Sequence, residues 1–251
     1  MAKTRSNLIL GIDIGGTGIK AGLVDIATGD LVGDVTKIKT PKPSSPANVL
    51  KAVREMISLL GYQGPVGCGF PAIVHNAVIQ NAANIDQKWV GTNAEKLFNR
   101  IRGCSFHVAN DADMAGMAEM HFGLGKGKKG TVIFITIGTG LGSALFRDGM
   151  LIPNTEFGHL NYKKVDFEYY ASNTARERNK MSWKAWALQF NHFLQHLDFI
   201  FSPDLILLGG GLSKRWSEFK SQIKVKSKVI PASLQNHAGI IGAAVFAQSI
   251  D

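Results

Sequence analysis

The sequence predicts an α/β protein built from two related halves that flank a cleft. Three observations predict it. Short apolar strands and amphipathic helices alternate from end to end. No run of Pro, Gly and Ser divides the chain as a linker would. A hairpin motif also occurs twice, as IDIGGTGIKAGLVD at residues 12–25 and ITIGTGLGSALFRD at residues 135–148. Each copy is an apolar strand, a turn of glycine and threonine, a second apolar strand and an aspartate at the exit. Their separation is too long for a solenoid repeat and suits a duplicated half-molecule. The expected division is a smaller N-terminal domain over residues 1–109 and a larger one over 110–235. The last helix, about 236–250, packs back on the first domain.

The elements follow in order. LILGIDI (8–14) is short and apolar, GGTG breaks it, and IKAGLVDI (19–26) follows. ATGD then turns the chain into LVGDVTKIKT, so the sheet opens with two successive antiparallel hairpins. A helix runs from Ser45, its cap, through Pro46 at the first position. Val49, Leu50, Val53, Met56, Ile57 and Leu60 recur along it at helical spacing. PVGCGFPAI (65–73) reads as a buried strand. Residues 75–93 are amide-rich without periodicity and read as a binding loop. A short helix (94–101), the strand SFHVAN (105–110) and a helix opening on Asp111 and Asp113 come next. After the loop GLGKGKKG the second hairpin forms. Helices at 166–178 and 182–201 follow, then a buried strand (205–208) entering Gly209-Gly210-Gly211. A strand near 226–230 and a helix from about 236 to 248 close the chain.

Composition narrows the function. With 45% apolar and 19% charged residues the chain is globular, not disordered. No apolar run reaches the roughly 20 residues of a membrane helix. The N-terminus meets glycine and aspartate too early for a secretory signal. Cys68 and Cys104 are too few for a disulfide framework or a multi-cysteine zinc site. A cytoplasmic protein is expected, with neither membrane nor nucleic acid as partner. The net charge of +9 and pI near 9.6 would attract polyanions; charge alone also fits a merely basic surface.

The two turns carry the chemistry. Glycines let the backbone approach an anion closely or take positive φ. Successive N–H groups then converge on phosphate oxygens. Gly15, Gly16 and Gly18 serve the first turn, Gly138 and Gly140 the second. Thr17 and Thr139 add hydroxyls, and Lys20 adds a charge. Asp13 would repel phosphate and makes sense as a holder of Mg²⁺, directly or through water. Two matched copies favour phosphate binding over simple chain reversal. GKGKKG (125–130) fits a dinucleotide fingerprint in letters only, because it follows a helix and opens a strand. No Lys-Ser or Lys-Thr stands in a Walker context. Gly209, Gly210 and Gly211 suit either a nucleotide base or a tight strand–helix crossing.

Sugar phosphorylation needs a carboxylate to accept the proton of the attacking hydroxyl. Asp111 is the candidate, at a strand end where α/β proteins bind ligands. The alternative is that Asp111 and Asp113 only cap a helix. Asn110, Asn84, Asp86, Glu156, His159 and Glu168 are the candidate sugar ligands. Trp89 is either an apolar wall for the sugar or core.

These pieces together resemble the ROK family of sugar kinases, within the actin–hexokinase–Hsp70 superfamily. The carriers are DIGGTGIK, GFPAIV, the AANID…W loop, NDAD, IGTGLGSA, EFGH and LLGGG. AANIDQKWVGTNA, NDADMAG, LIPNTEFGHL and VIPASLQNHAGIIGAA look like its bacterial polyphosphate glucokinases. The resemblance implies an actin/hexokinase-like (ribonuclease H-like) fold, transfer to the glucose 6-hydroxyl and a homodimer. It implies Asp111 as base, with Asn110, Asn84, Glu156, His159 and Glu168 around the sugar. Asp13, Gly16, Thr17, Lys20, Gly138, Thr139 and Gly140 would surround the phosphates. Many ROK proteins carry a cysteine-rich zinc motif after the Gly-His pair. No cysteine follows Cys104, so no structural zinc is expected. The family's repressors begin with a helix-turn-helix domain, which the early first strand argues against here. Inorganic polyphosphate is the expected donor, alone or with ATP. Basic clusters lie at Lys126, Lys128 and Lys129, at Arg176, Arg178, Lys180 and Lys184, and from Lys214 to Lys228; the second turn, adjacent in sequence to the first of these, is the expected entrance for the donor. An ATP-dependent hexose kinase and a non-enzymatic basic binder are the rivals.

Overall fold

The computed structural model describes residues 7–250. Residues 1–6, which the expected N-terminal domain included, and residue 251 lie outside the described part. The chain forms two compact units, residues 1–118 with 237–251, and residues 119–236. The dividing point falls inside a helix that starts at Asp111, rather than at residue 110, and the last helix belongs with the first unit.

In the first unit, β1 (Leu8–Ile14), β2 (Gly18–Asp25) and β3 (Asp30–Lys39) form antiparallel hairpins. Helix α1 (Pro46–Leu60) follows. The Ser45 side chain accepts the Asn48 N–H, and Gly61 closes the helix in the left-handed region at φ 59°. Its periodic residues Val49, Leu50, Val53, Met56 and Ile57 are all buried. Strand β4 (Gly64–Phe70) pairs parallel with β1. The expected loop contains a small hairpin, β5 (Val74–His75) and β6 (Val78–Ile79), and a 3-10 turn at Gln87–Trp89. Helix α2 (Ala94–Phe98), strand β7 (Cys104–Asn110) and helix α3 (Asp111–His121) complete the run. The sheet order is β3-β2-β1-β4-β7.

The second unit repeats this plan. β8 (Thr131–Ile137), β9 (Leu141–Arg147) and β10 (Met150–Ile152) are antiparallel neighbours. A hairpin of β11 (Asn161–Tyr162) and β12 (Val165–Asp166) leads to α4 (Glu168–Ala171) and α5 (Asn173–Arg178). The single helix expected at 166–178 is thus broken: Ser172 is extended at ψ 168° and its side chain caps α5 by accepting the Ala175 N–H. Helix α6 (Trp183–Phe201), strand β13 (Leu205–Gly209), α7 (Trp216–Phe219) and β14 (Lys228–Pro231) follow. The sheet order is β10-β9-β8-β13-β14, with β13 parallel to β8 and β14 parallel to β13. The duplication read from one hairpin therefore extends to all five strands.

Helix α8 (Ala238–Ile250) closes the first unit. Its small residues let it lie directly on the sheet. A side chain on Gly11 would strike the Ile240 carbonyl, and one on Gly67 would strike that of Ala243. Gly242 likewise meets the Met114 carbonyl of α3. Each unit has its own core, Trp89 with Phe70, Phe98 and Phe106 in the first and Trp186 with Phe167, Phe190 and Phe193 in the second. Trp89 is fully buried and its Nε1 donates to the Ser44 carbonyl at 2.9 Å, which makes it core and not a sugar wall. Among the described residues, no helix is long and apolar enough to cross a membrane.

Candidate active site

The first glycine turn joins β1 to β2 by a Gly15 N–H to Gly18 carbonyl bond of 2.9 Å. The residues just after β3 brace it. The Thr40 hydroxyl donates to the Gly15 carbonyl at 2.6 Å, the Thr40 N–H to that of Thr17, and Lys42 Nζ to that of Gly16 at 3.3 Å. Sequence reading missed Thr40 and Lys42. The hairpin register signals them, since Gly18 pairs with Lys39 and so sets the next residue beside Thr17. None of Gly15, Gly16, Gly18, Gly138 or Gly140 has positive φ, so of the two freedoms of glycine only close approach is used. The glycines act by close approach. A Cβ on Gly16 would sit 2.7 Å from the Asn84 carbonyl oxygen, which places the amide loop directly on the first turn.

Asp13 and Lys20 are register partners across β1 and β2, and Lys20 Nζ lies 3.1 Å from Asp13 Oδ2. The first turn of α8 backs onto this pair, with a Cβ on Gly239 falling 3.1 Å from the Asp13 Cγ. Asp13 is thus a single carboxylate beside the first glycine turn, paired with Lys20. Among the described residues no group of three or more His, Cys, Asp or Glu could hold a metal ion. A lone carboxylate fits Mg²⁺, which keeps most of its waters and takes its other ligands from substrate phosphates.

Asp111 opens α3 where β7 ends, half-buried, one residue beyond the Phe70–Asn110 pairing of β4 and β7. Asn110 shares the cap with Asp111, whose Oδ1 accepts the Ala112 N–H at 2.8 Å. The Asn110 Oδ1 accepts the N–H groups of Ala112 and Asp113 at 2.8 and 3.1 Å, and its amide donates to Ala72. Asn110 is accordingly 6% exposed and braces α3, and Asp111 sits at the end of the strand. Asp113 is wholly buried and not an exposed capping acid. Asn84 is exposed. Asp86 caps the 3-10 turn by accepting the Lys88 N–H at 2.9 Å, and its own N–H donates to Ser44.

In the second unit the turn is one residue shorter than the first. The Gly138 N–H donates to the Gly140 carbonyl, and the Asn173 N–H of α5 donates to the Gly138 carbonyl, both at 3.0 Å. A Cβ on Gly138 would meet nothing within 4 Å, so neither packing nor φ demands glycine there. Glu168 braces the turn by accepting the Leu141 N–H at 3.1 Å, with its Oε2 2.5 Å from where a Gly140 Cβ would lie. Glu156, half-buried, and His159 flank the 3-10 turn Phe157–His159. Ser143 pins that turn to β9, its hydroxyl donating to Thr155 and accepting the Phe157 N–H.

His159 Nδ1 is 2.7 Å from Asp166 Oδ2, and its Nε2 is 4.0 Å from Glu156. Burial works against the charged ring, but the Asp166 hydrogen bond and the charges of Glu168, Glu156 and Asp166 outweigh it and raise the His159 pKa. Burial, helped by Glu168 and countered by His159, holds the Glu156 pKa above the ordinary carboxylate value. No sequence pattern marked Asp166, which becomes a partner only through the β11–β12 hairpin.

The remaining glycines and basic residues sort by position. Gly209 and Gly210 pack tightly, with a Cβ falling 2.5 Å from the Phe134 ring and from the Ile137 carbonyl oxygen respectively. Gly211 faces open space. Lys126, Lys128 and Lys129 precede β8, whereas the second turn follows it. A seven-residue strand separates them by about 23 Å. The lysine loop is therefore not beside the second turn, contrary to the expectation from sequence.

The sequence pattern of the ROK family matches residues 9–175. The polyphosphate glucokinase of Mycobacterium tuberculosis (strain CDC 1551 / Oshkosh) is 42% identical over 236 residues, 94% of this chain and 89% of that protein. The inorganic polyphosphate/ATP-glucomannokinase of Arthrobacter sp. strain KM superposes with a TM-score of 0.93 at 42% identity, covering 97% of this chain and 99% of that one. A ROK family glucokinase from Streptomyces griseus, solved with glucose and AMPPNP, gives a TM-score of 0.83 at 25% identity, over 96% and 99% of the two chains.

Proposed function

The chain belongs to the ROK family, and on that premise we propose that it is a polyphosphate-dependent glucokinase with the actin/hexokinase-like fold. It transfers the terminal phosphoryl group of inorganic polyphosphate to the 6-hydroxyl of glucose. The observation that carries the reading is 42% identity, nearly end to end, to proteins that use polyphosphate and glucose or glucose and mannose. ATP is a second donor in this reading, as in the Arthrobacter protein.

Asp111 is the general base. Its carboxylate takes the hydroxyl proton as the sugar oxygen bonds to phosphorus and the shortened polyphosphate leaves. Asn84, Glu156, His159 and Glu168 are the sugar ligands. Asn110 and Asp86 serve by holding α3 and the amide loop in place. Gly15, Gly16, Thr17, Gly18 and Lys20 on one turn, and Gly138, Thr139 and Gly140 on the other, receive the phosphates. The exposure of Thr17 and Thr139 supports this. Gly211 remains a candidate for a nucleotide base when ATP is the donor; Gly209 and Gly210 have packing roles. Asp13 would hold Mg²⁺ through water, where the ion would spread the charge of the transferring group. Structural zinc has no part in the reading, because no cysteine follows Cys104. A cytoplasmic location accords with the two free cysteines. A homodimer accords with the exposed apolar residues Leu188, Phe199 and Ile200 on α6.

A coupled assay for glucose 6-phosphate, run with polyphosphate and with ATP, tests the proposal. Product from polyphosphate is expected, and its absence overturns the donor assignment.

A further inference from the structure

We propose that Arg176 grips the phosphate chain of the donor behind the transferred group, and that Trp183 holds its guanidinium plane ready for it. The inference rests on the kinase reading above and adds a donor-recognising residue to it. Arg176 lies one turn into α5, whose first N–H donates to the Gly138 carbonyl at 3.0 Å. Helical side chains lean toward the N-terminal end, which here is the end tied to the second glycine turn. The guanidinium carbon sits 3.8 Å from the centre of the Trp183 ring. Trp183 is itself set edge-on against the buried Trp186, whose Nε1 donates to the carbonyls of Ala171 and Ser172 just before α5.

Arg176 has a partner for its flat face and none for its charge. Its Nε is shielded from solvent and meets no acceptor, and no carboxylate pairs with it among the described residues. The nearby Glu177 is taken by Asn173 Nδ2 at 2.9 Å. Neighbouring Arg178 differs. It covers Tyr169 at 3.9 Å and donates to the Tyr169 carbonyl at 2.6 Å, so it is already committed. A half-buried arginine that is stacked, preorganised and lacking a counter-ion suits a doubly charged oxygen pair, which a guanidinium binds through two parallel hydrogen bonds. A lysine in its place would keep the charge and lose the fork and the stack.

The test uses the full-length enzyme with polyphosphate or ATP varied at saturating glucose and three salt concentrations. For Arg176→Gln the donor KM should rise about tenfold, the loss of one charge-assisted hydrogen-bonded contact. kcat and the KM for glucose should stay within about twofold, and the salt dependence of the donor KM should weaken. Arg176→Lys should fall between, and Trp183→Leu should raise the donor KM by a smaller factor. A rise with both donors, or with polyphosphate alone, supports the proposal and locates the contact near or far from the transferred group. If wild type works with polyphosphate and Arg176→Gln matches it in donor KM for both donors, the proposal fails alone. If wild type makes no product from either donor, the proposal fails with the reading beneath it.

Discussion

Asp111 and His159 show how neighbours assign work to single residues. Asn110 and Asp111 both accept the Ala112 N–H, so the proposed base sits on a braced helix start. Asp111→Asn should lower kcat by about 10²–10⁴-fold, the usual weight of a general base. Glucose binding, followed by tryptophan fluorescence, should persist; a variant with wild-type kcat removes Asp111 from the chemistry. His159 carries a raised pKa because Asp166, Glu168 and Glu156 surround it with negative charge. An NMR titration of its ring should therefore show a midpoint above the roughly 6.5 of free histidine. Asp166→Asn should bring that midpoint down. The sign follows from linkage. The His159–Asp166 pair contributes stability fully below the unfolded-state pKa and loses it as pH rises through the raised folded value. Asp166 escaped sequence reading because its partnership depends on a two-residue hairpin, whereas the position of Asp111, where a strand ends and a helix starts, is a local signal.

Elements explain which glycines hold the fold and which face open space. Gly67 lets α8 touch β4, and a methyl there would strike the Ala243 carbonyl. Gly67→Ala should destabilise the protein by about 1–3 kcal/mol or more, through overpacking. Gly138→Ala meets nothing within the molecule. It should melt at the wild-type temperature yet raise the donor KM; calorimetry beside donor kinetics checks both. If Gly138→Ala folds and leaves donor kinetics untouched, the turn is not a phosphate grip. The hairpins and α1 were legible because strand alternation, Ser45, Pro46 and helical spacing are local signals. The break at Ser172 was not, and local signals do not decide between packing and binding for Trp89, Gly209 and Gly210. Each depends on what another element brings against it.

At the scale of the molecule, one repeated hairpin foretold a repeated five-stranded sheet, the same order of antiparallel and parallel strands in both units. Sequence adjacency misled where a strand intervened: the lysine loop and the second turn are neighbours in the chain and about 23 Å apart along β8. Of the basic clusters in the sequence, topology sets aside that loop and favours the one with Arg176, on the helix tied to the second turn. The net charge of +9 remains a general attraction for a polyanion. The most direct measurement is glucose 6-phosphate formation from nucleotide-free polyphosphate by the purified wild-type protein. Sustained turnover, with a polyphosphate KM that rises steeply with salt, is the predicted result. Turnover with ATP but none with polyphosphate would contradict it.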